Sequence, residues 1–243
     1  MFSPQGPSVR ELAAQALSSV EGGYDQLAPK FDHTPFRTSD GVLDATAAAL
    51  RPLGPFGSGL DLCCGTGAGL RVLGPLCREQ PTGVDFSVGM LAQARRAHPA
   101  ARLVRADARA LPFTGDYDLV VSFGAFGHFL PAERPALFAG VHRALRPGGL
   151  FAFPVGALPP VASAGYWALL GFDLAMRVRN AVRRPPFVMY YRTCRPPALR
   201  ADLTAAGFAV TAVPLTTPGR AAGAAPRCLL ILARKPALGS LIR

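Results

Sequence analysis

The run Leu60–Leu70, LDLCCGTGAGL, carries an apolar stretch straight into Gly65-Thr66-Gly67-Ala68-Gly69. Glycines at such a point permit a tight turn and let a ligand approach the backbone closely. Two carboxylates follow at comparable places. Asp85 closes the apolar run in TGVDFS. A carboxylate there can accept two hydrogen bonds from the vicinal hydroxyls of a ribose. Asp107, in RADARALPF, can accept from an adenine amino group. If the three runs are consecutive strands, their carboxyl ends converge on one crevice suited to an adenosine derivative. A dinucleotide fingerprint GxGxxG/A needs a small residue at position 70, where this chain has Leu70, so the pattern is GxGxG. Taken alone, the turn is also explained as a plain strand-to-helix connection.

Regular elements must hold these groups. Gly59–Cys64 reads as a buried strand and Ala68–Leu73 as a short helix interrupted by Gly74-Pro75. Thr82–Asp85 is a strand, and Ser87 can cap a helix running through Met90, Leu91 and Ala94 to Ala97. Ala101–Ala106 and Tyr117–Phe123 are further strands. Pro131–Leu145 is an amphipathic helix with proline in its first turn. Pro147-Gly148-Gly149 is expected to break it before the strand Leu150–Val155. Strands alternating with helices predict an α/β fold, a parallel doubly wound sheet covered on both faces. Ligands in such sheets lie beyond the carboxyl ends of the strands.

Upstream, Ser8–Val20 has helical spacing, Tyr24–His33 reads as a polar-aromatic connection and Gly41–Leu50 as a short helix. Downstream, Tyr166–Val178 is helix-like, Phe187–Thr193 extended, and Pro197–Ala206 a helix closed by Gly207. The loop Thr216–Pro226 leaves no room for a helix, so strands Phe208–Leu215 and Cys228–Ala233 are expected to be antiparallel. The expected organisation is one domain: a helical cap (1–52), a cofactor-binding core (53–155), a lid insertion (156–195) and a C-terminal helix with a strand pair (196–243).

With 50% hydrophobic and 17% charged residues, the body of the 243-residue chain is expected to fold rather than stay disordered. No apolar run is long enough to span a membrane, and no secretory leader is visible, so the expected compartment is the cytoplasm. Lys+Arg 26 against Asp+Glu 15 gives a net charge of +11. The basic residues are scattered, which argues against a dedicated nucleic-acid surface. Their densest group, Arg177, Arg179, Arg183 and Arg184, is either a solvated face or a patch for an anionic or membrane-associated substrate. Peripheral membrane contact stays open, and the oligomeric state is not legible. The five cysteines make no metal-like CxxC pair and read as reduced, mostly buried thiols. No metal cluster is visible.

With these motifs in order, the chain resembles the class I S-adenosylmethionine-dependent methyltransferases. It is most similar to their ubiquinone/menaquinone methyltransferase-like, small-molecule subgroup. LDLCCGTGAGL resembles the family's glycine-rich first motif, TGVDFSVGML its second and ADARALPF its third. YDLVVSFGAFGHF resembles the fourth-strand motif and ALRPGGLFAF the lead into the fifth strand. The resemblance implies a Rossmann-like, doubly wound, seven-stranded sheet with an antiparallel last strand, N-terminal helices and a lid insertion. It also implies S-adenosyl-L-methionine as cofactor. Asp61, Cys63 and the turn Gly65, Thr66, Gly67 would lie along its methionine part. Asp85 would hold the ribose hydroxyls, Phe86 and Met90 would flank the adenine, and Asp107 with Ala108 would read the adenine edge. Phe123 and Gly124 would sit beneath the sulfonium. Tyr24 and Phe31 lie in YDQLAPKFDH, which resembles the subgroup's YDxxAxxYD pattern. They either fold over the cofactor or serve helix packing.

The resemblance implies methyl transfer to a small apolar or aromatic molecule, at oxygen or carbon. The amino-methylating Asn/Asp-Pro-Pro-Tyr/Phe motif is replaced by Ser122-Phe123-Gly124-Ala125. His128, just past the fourth strand, is the candidate general base, or else a pocket-shaping residue. Tyr190, Tyr191 and His33 are further candidates. The segment after Val155 is expected to form a hydrophobic lid holding substrate with Trp167, Phe172, Met189 and Tyr190, unless these residues complete the core. The competing readings are an NAD(P)-dependent oxidoreductase, disfavoured by Leu70, and a non-catalytic cofactor-binding protein.

Overall fold

In the computed structural model, residues 5–8, 10–11, 20–34, 36–156, 161–183, 196–216 and 228–237 are described. Seven strands form one sheet: β1 (Gly59–Leu62), β2 (Thr82–Asp85), β3 (Arg102–Arg105), β4 (Tyr117–Val121), β5 (Leu145–Gly156), β6 (Ala209–Pro214) and β7 (Cys228–Arg234). Their order is β3-β2-β1-β4-β5-β7-β6. The pairings from β3 across to β5 are parallel, and β7 runs antiparallel to both β5 and β6. The helices are α1 (Val20–Leu27), α2 (Asp40–Leu50), α3 (Ala68–Leu73), α4 (Val88–Ala97), α5 (Arg134–Ala144), α6 (Ala164–Arg183) and α7 (Pro196–Ala205).

Strand side chains alternate between two cores, as the pleat requires. Val120, Phe151 and Phe153 face α5 and α7, where Leu137, Phe138, Leu199 and Leu203 close the layer. Leu119, Val121, Leu150 and Ala152 face the other way, onto Leu43, Leu50, Val72 and Leu73 of α2 and α3. The sequence order reverses at β1, which lies between β2 and β4. A crevice therefore opens beyond their carboxyl ends.

Three local expectations change. Pro147-Gly148-Gly149 does not interrupt the chain; it lies inside β5. The register shifts there, from Tyr117 opposite Leu145 to Leu119 opposite Leu150. A bulge of this kind tolerates proline and glycine in a strand. Gly148 takes φ 82° and exchanges backbone hydrogen bonds with Lys235, together with Gly149. The stretch Tyr24–His33 is not a connection but the end of α1 followed by a 3-10 helix, Ala28–His33, because Pro29 ends the α-helical ladder and suits a first turn. The helix expected from Pro131 begins at Arg134 with Pro135 in its first turn. Most of Ser8–Val20, all of Phe187–Thr193 and most of Thr216–Pro226 lie outside the described residues.

Phe151 contacts Phe126, Phe138, Phe153 and Phe208 in one aromatic cluster and is fully buried. Phe151→Ala is expected to lower the unfolding free energy by about 3–5 kcal/mol, read from a urea transition followed by circular dichroism. A loss below about 1 kcal/mol would mean that this layer does not hold the sheet together.

Candidate active site

The chain leaves β1 after Leu62, and the turn is built from left-handed backbone: Cys63 at φ 55°, Gly65 at 52° and Gly67 at 101°. This folds the first turn of α3 back onto Asp61. The Leu70 N–H donates to Asp61 Oδ2 at 3.0 Å, and the Gly69 N–H also donates to this carboxylate. Gly69 packs so closely on Asp61 that a Cβ there would overlap the carboxylate. Asp61 is only 1% exposed. Burial, with the charge of Asp85 in support, pushes its carboxyl well above the usual range.

Asp85 ends β2 in a similar setting. Its Oδ2 accepts from the Gly65 N–H at 2.9 Å and its Oδ1 from the Ser87 N–H at 2.9 Å. Burial raises this carboxyl too, against the lowering effect of those backbone donors. Ser87 Oγ accepts from Met90 N–H at 3.1 Å and so caps α4 as expected. Asp107 differs: Arg109 donates to it from its backbone N–H and its guanidinium, and holds its carboxyl below the ordinary value. Arg109 also reaches Glu133 Oε1 at 2.6 Å. Burial, with the nearby carboxylates Asp61 and Asp85, pushes the Cys63 and Cys64 thiols well up, so both stay neutral near physiological pH.

These elements enclose a cavity of about 490 Å³. Tyr24, Phe31, Asp61, Cys63, Gly65, Thr66, Asp85, Phe86, Met90, Asp107, Ala108, Phe123, Gly124 and His128 all line it. Gly67 does not; its conformation starts α3, and a Cβ there would run into the His98 ring. Trp167 does not either. It stands on α6 with 59% of its surface exposed, away from the lining. The described residues of 156–195 place only Gly156 in the wall, so the expected lid contact through Trp167 is not made. The physical reason is that Trp167 lies with Leu174, Val178 and Val182 on an outward-facing side of α6. The side chain of Phe172, and residues Met189, Tyr190 and Tyr191, lie outside the described part. His33 is exposed and off the lining.

The cap over the crevice is held by two aspartates that the sequence reading passed over. Asp25 Oδ1 accepts from Ser87 Oγ at 2.6 Å and from Gly89 N–H at 2.8 Å. A Cβ on Gly89 would press into the backbone of Asp25, so glycine is needed for this approach. Asp32 Oδ1 accepts from Thr66 Oγ1 at 2.7 Å, in the glycine turn itself. The available signal was the aspartate after each aromatic in YDQLAPKFD. Arg37 and Arg109, also passed over, add guanidinium groups to the wall. Tyr24 meets Phe31 and Phe86 edge-on, and its hydroxyl lies 2.6 Å from His128 Nε2.

The sequence pattern of the methyltransferase domain family matches residues 60–149. The demethylmenaquinone methyltransferase of Thermus thermophilus is 31% identical over 164 residues, which are 62% of this chain and 74% of that protein. The chain belongs to the class I S-adenosylmethionine-dependent methyltransferases. An uncharacterized methyltransferase of Synechocystis is 39% identical over 94 residues, 38% of this chain and 44% of that one. Against it and two further relatives, the chain spans 44%, 64% and 62% of their lengths. Among solved structures, the DhpI–SAH complex superposes with a TM-score of 0.65 at 20% identity, covering 94% of this chain and 99% of that one, and shares the fold. The cofactor of this family is S-adenosylmethionine, and the crevice is suited to it. The volume falls within the range of about 300–1,000 Å³ common to small-ligand pockets. A Cβ built on Gly65 meets no atom within 4 Å, so the turn leaves open space where a ligand can lie against the backbone.

The raised carboxyl of Asp85 has a signed consequence for the ligand-free protein. Its native pKa lies above the ordinary aspartate value of 3.8. Between the two values the native state binds more protons than the unfolded state, so this group's contribution to stability grows as pH falls through the raised pKa. His98 and His142, held down by burial, titrate alike in both proteins compared and cancel. The stability of the wild type minus that of Asp85→Asn, from urea unfolding, is expected to grow as pH falls from about 8 through the raised pKa toward the ordinary aspartate value of 3.8. A difference that stays constant would contradict a raised Asp85. In a second test, Asp25→Ala is expected to speed hydrogen exchange across residues 20–33 and leave β4 and β5 unchanged. Unchanged exchange in the cap would show that Asp25 does not hold it.

Proposed function

We propose that this chain transfers the methyl group of S-adenosylmethionine to a small apolar or aromatic acceptor, at oxygen or carbon, with His128 as the base. The observation that carries the reading is the 2.6 Å contact between the Tyr24 hydroxyl and His128 Nε2 inside the crevice. It puts a proton-accepting pair in a crevice whose lining also includes Phe36, Phe126 and Phe129. The names of relatives point the same way: demethylmenaquinone and 2-phytyl-1,4-naphtoquinone methyltransferases act on quinone rings.

In this reading Asp85 accepts from the ribose hydroxyls, and Phe86 and Met90 flank the adenine. Asp107, steadied by Arg109, and the backbone of Ala108 meet the adenine edge. Asp61, Cys63, Gly65 and Thr66 lie along the methionine part; Gly67 serves the turn alone. Phe123 and Gly124 form the floor below the sulfonium. The bound cofactor supplies a methyl already activated on a positive sulfur, so the protein's work is alignment, exclusion of water and proton removal. Tyr24 donates its hydroxyl proton to His128 Nε2 as the acceptor's proton passes to the Tyr24 oxygen. The imidazole takes the charge near neutral pH.

His128→Ala is expected to reduce turnover by about 10²–10⁴-fold while leaving S-adenosylhomocysteine binding intact, measured by labelled-methyl transfer to a panel of hydroxylated quinols and phenols. Undiminished turnover in the variant would remove His128 from the mechanism. Methyl transfer to none of the panel by the wild type would contradict the acceptor class.

A further inference from the structure

No described side chain of helix α6, Ala164–Arg183, belongs to either of the two cores. Asp173 is the single buried position among its described side chains, and Arg177, one turn later, donates to it at 2.8 Å. Four of its described apolar side chains face the outside. Trp167, Leu174, Val178 and Val182 are 59%, 61%, 55% and 77% exposed. At about 100° per residue these four positions fall within an arc of about 80°, one continuous stripe along a helix about 30 Å long. Isolated exposed apolar residues are ordinary, but a contiguous stripe marks a surface that binds something.

The charges identify the partner. From Ala164 to Arg184 the sequence carries Arg177, Arg179, Arg183 and Arg184 against one acid, Asp173, and that acid is buried and paired. The whole chain carries +11. A second copy would bring the same arginines into the same interface and be repelled. An anionic surface would be attracted and would accept the apolar stripe as well. No helix among the described residues is long and apolar enough to cross a membrane. The combination of a tryptophan-bearing apolar face, flanking arginines and modest overall hydropathy describes a helix that lies in the plane of a lipid interface.

We propose that α6 docks this protein onto the surface of an anionic lipid bilayer through the stripe Trp167, Leu174, Val178 and Val182. This inference stands independently of the methyl acceptor. The chain has 1 Trp, so intrinsic emission reports on the stripe directly. The full chain is titrated with phosphatidylcholine vesicles, with and without phosphatidylglycerol, and sedimented with them. The expected result is a blue shift of Trp167 emission and co-sedimentation with the anionic vesicles. Binding should be roughly tenfold or more weaker to neutral ones and weakened by salt. The double variant Leu174→Glu/Val178→Glu is expected to lose both signals with its circular dichroism and S-adenosylhomocysteine binding unchanged. Absence of any shift and sedimentation would overturn the proposal, as would equal binding to both vesicle types or by the variant. So would a lipid-free, concentration-dependent blue shift accompanied by dimer formation, which would assign the stripe to a second copy.

Discussion

Two carboxylates taken out of water at the ends of neighbouring strands organise this molecule. Asp61 and Asp85 sit at the carboxyl ends of β1 and β2, each buried and each held by backbone N–H groups: Asp61 by the first turn of α3, Asp85 by Gly65 in the turn after β1 and by Ser87 after β2. A buried carboxylate without donors is costly, so the backbone has to come to it. That requirement explains the glycines. Gly69 must lack a Cβ to lie against Asp61, and Gly65 takes a left-handed conformation that turns its N–H to Asp85. The same turn leaves open space at Gly65 for a ligand. The donors lower both carboxyls only in part; burial still raises them, so the charged form of each is disfavoured, a tension present before any ligand arrives. A cofactor that brings hydroxyl donors and a positive sulfur offsets that tension, which is a physical reason for the crevice to favour it.

The cap closes the other side with the same kind of contact. Asp32 accepts from Thr66 in the turn, and Asp25 accepts from Ser87 and Gly89 at the start of α4. Both are the helix-terminus and turn positions where a negative group is favoured. Between them, Tyr24 and Phe31 are carried into the crevice, and Tyr24 reaches His128 on the loop after β4. The strand-end wall of the crevice and the loop after β4 therefore meet at one aromatic residue on the cap. Arg109 links the sides again, from Asp107 to Glu133, which accepts from the Leu130 N–H beyond His128.

The strand-end features were legible because they are local. A glycine turn after an apolar run and an acid closing the next run announce themselves within a few residues, and Ala68–Leu73 and Thr82–Asp85 match the structure at both ends. Cys63 and Cys64 were assigned to the strand, but the left-handed φ of Cys63 ends β1 at Leu62, two residues earlier. Pro147-Gly148-Gly149 was misread because breaker residues look alike in a loop and in a bulge, and only pairing with β4 and Lys235 tells them apart. Asp25 and Asp32 were missed because their partners, Ser87 and Thr66, are far away in sequence. Trp167 was assigned to the substrate because an apolar helical stretch looks the same whether its stripe faces a pocket, a core or the outside.

The central claim is that an ionised, buried Asp85 receives the cofactor. The direct measurement is calorimetric titration of S-adenosylhomocysteine into wild type and Asp85→Asn from pH 8 down to about pH 4, near the ordinary aspartate value of 3.8. The account expects wild-type affinity to fall as pH drops through the raised Asp85 pKa. It expects the variant to bind roughly 10–150-fold more weakly at pH 8, the worth of about 1.5–3 kcal/mol for hydrogen bonds to a charged acceptor, and to lose the part of the pH dependence that Asp85 supplies. Equal affinity of the two proteins, or a wild-type affinity that does not change with pH, would contradict it.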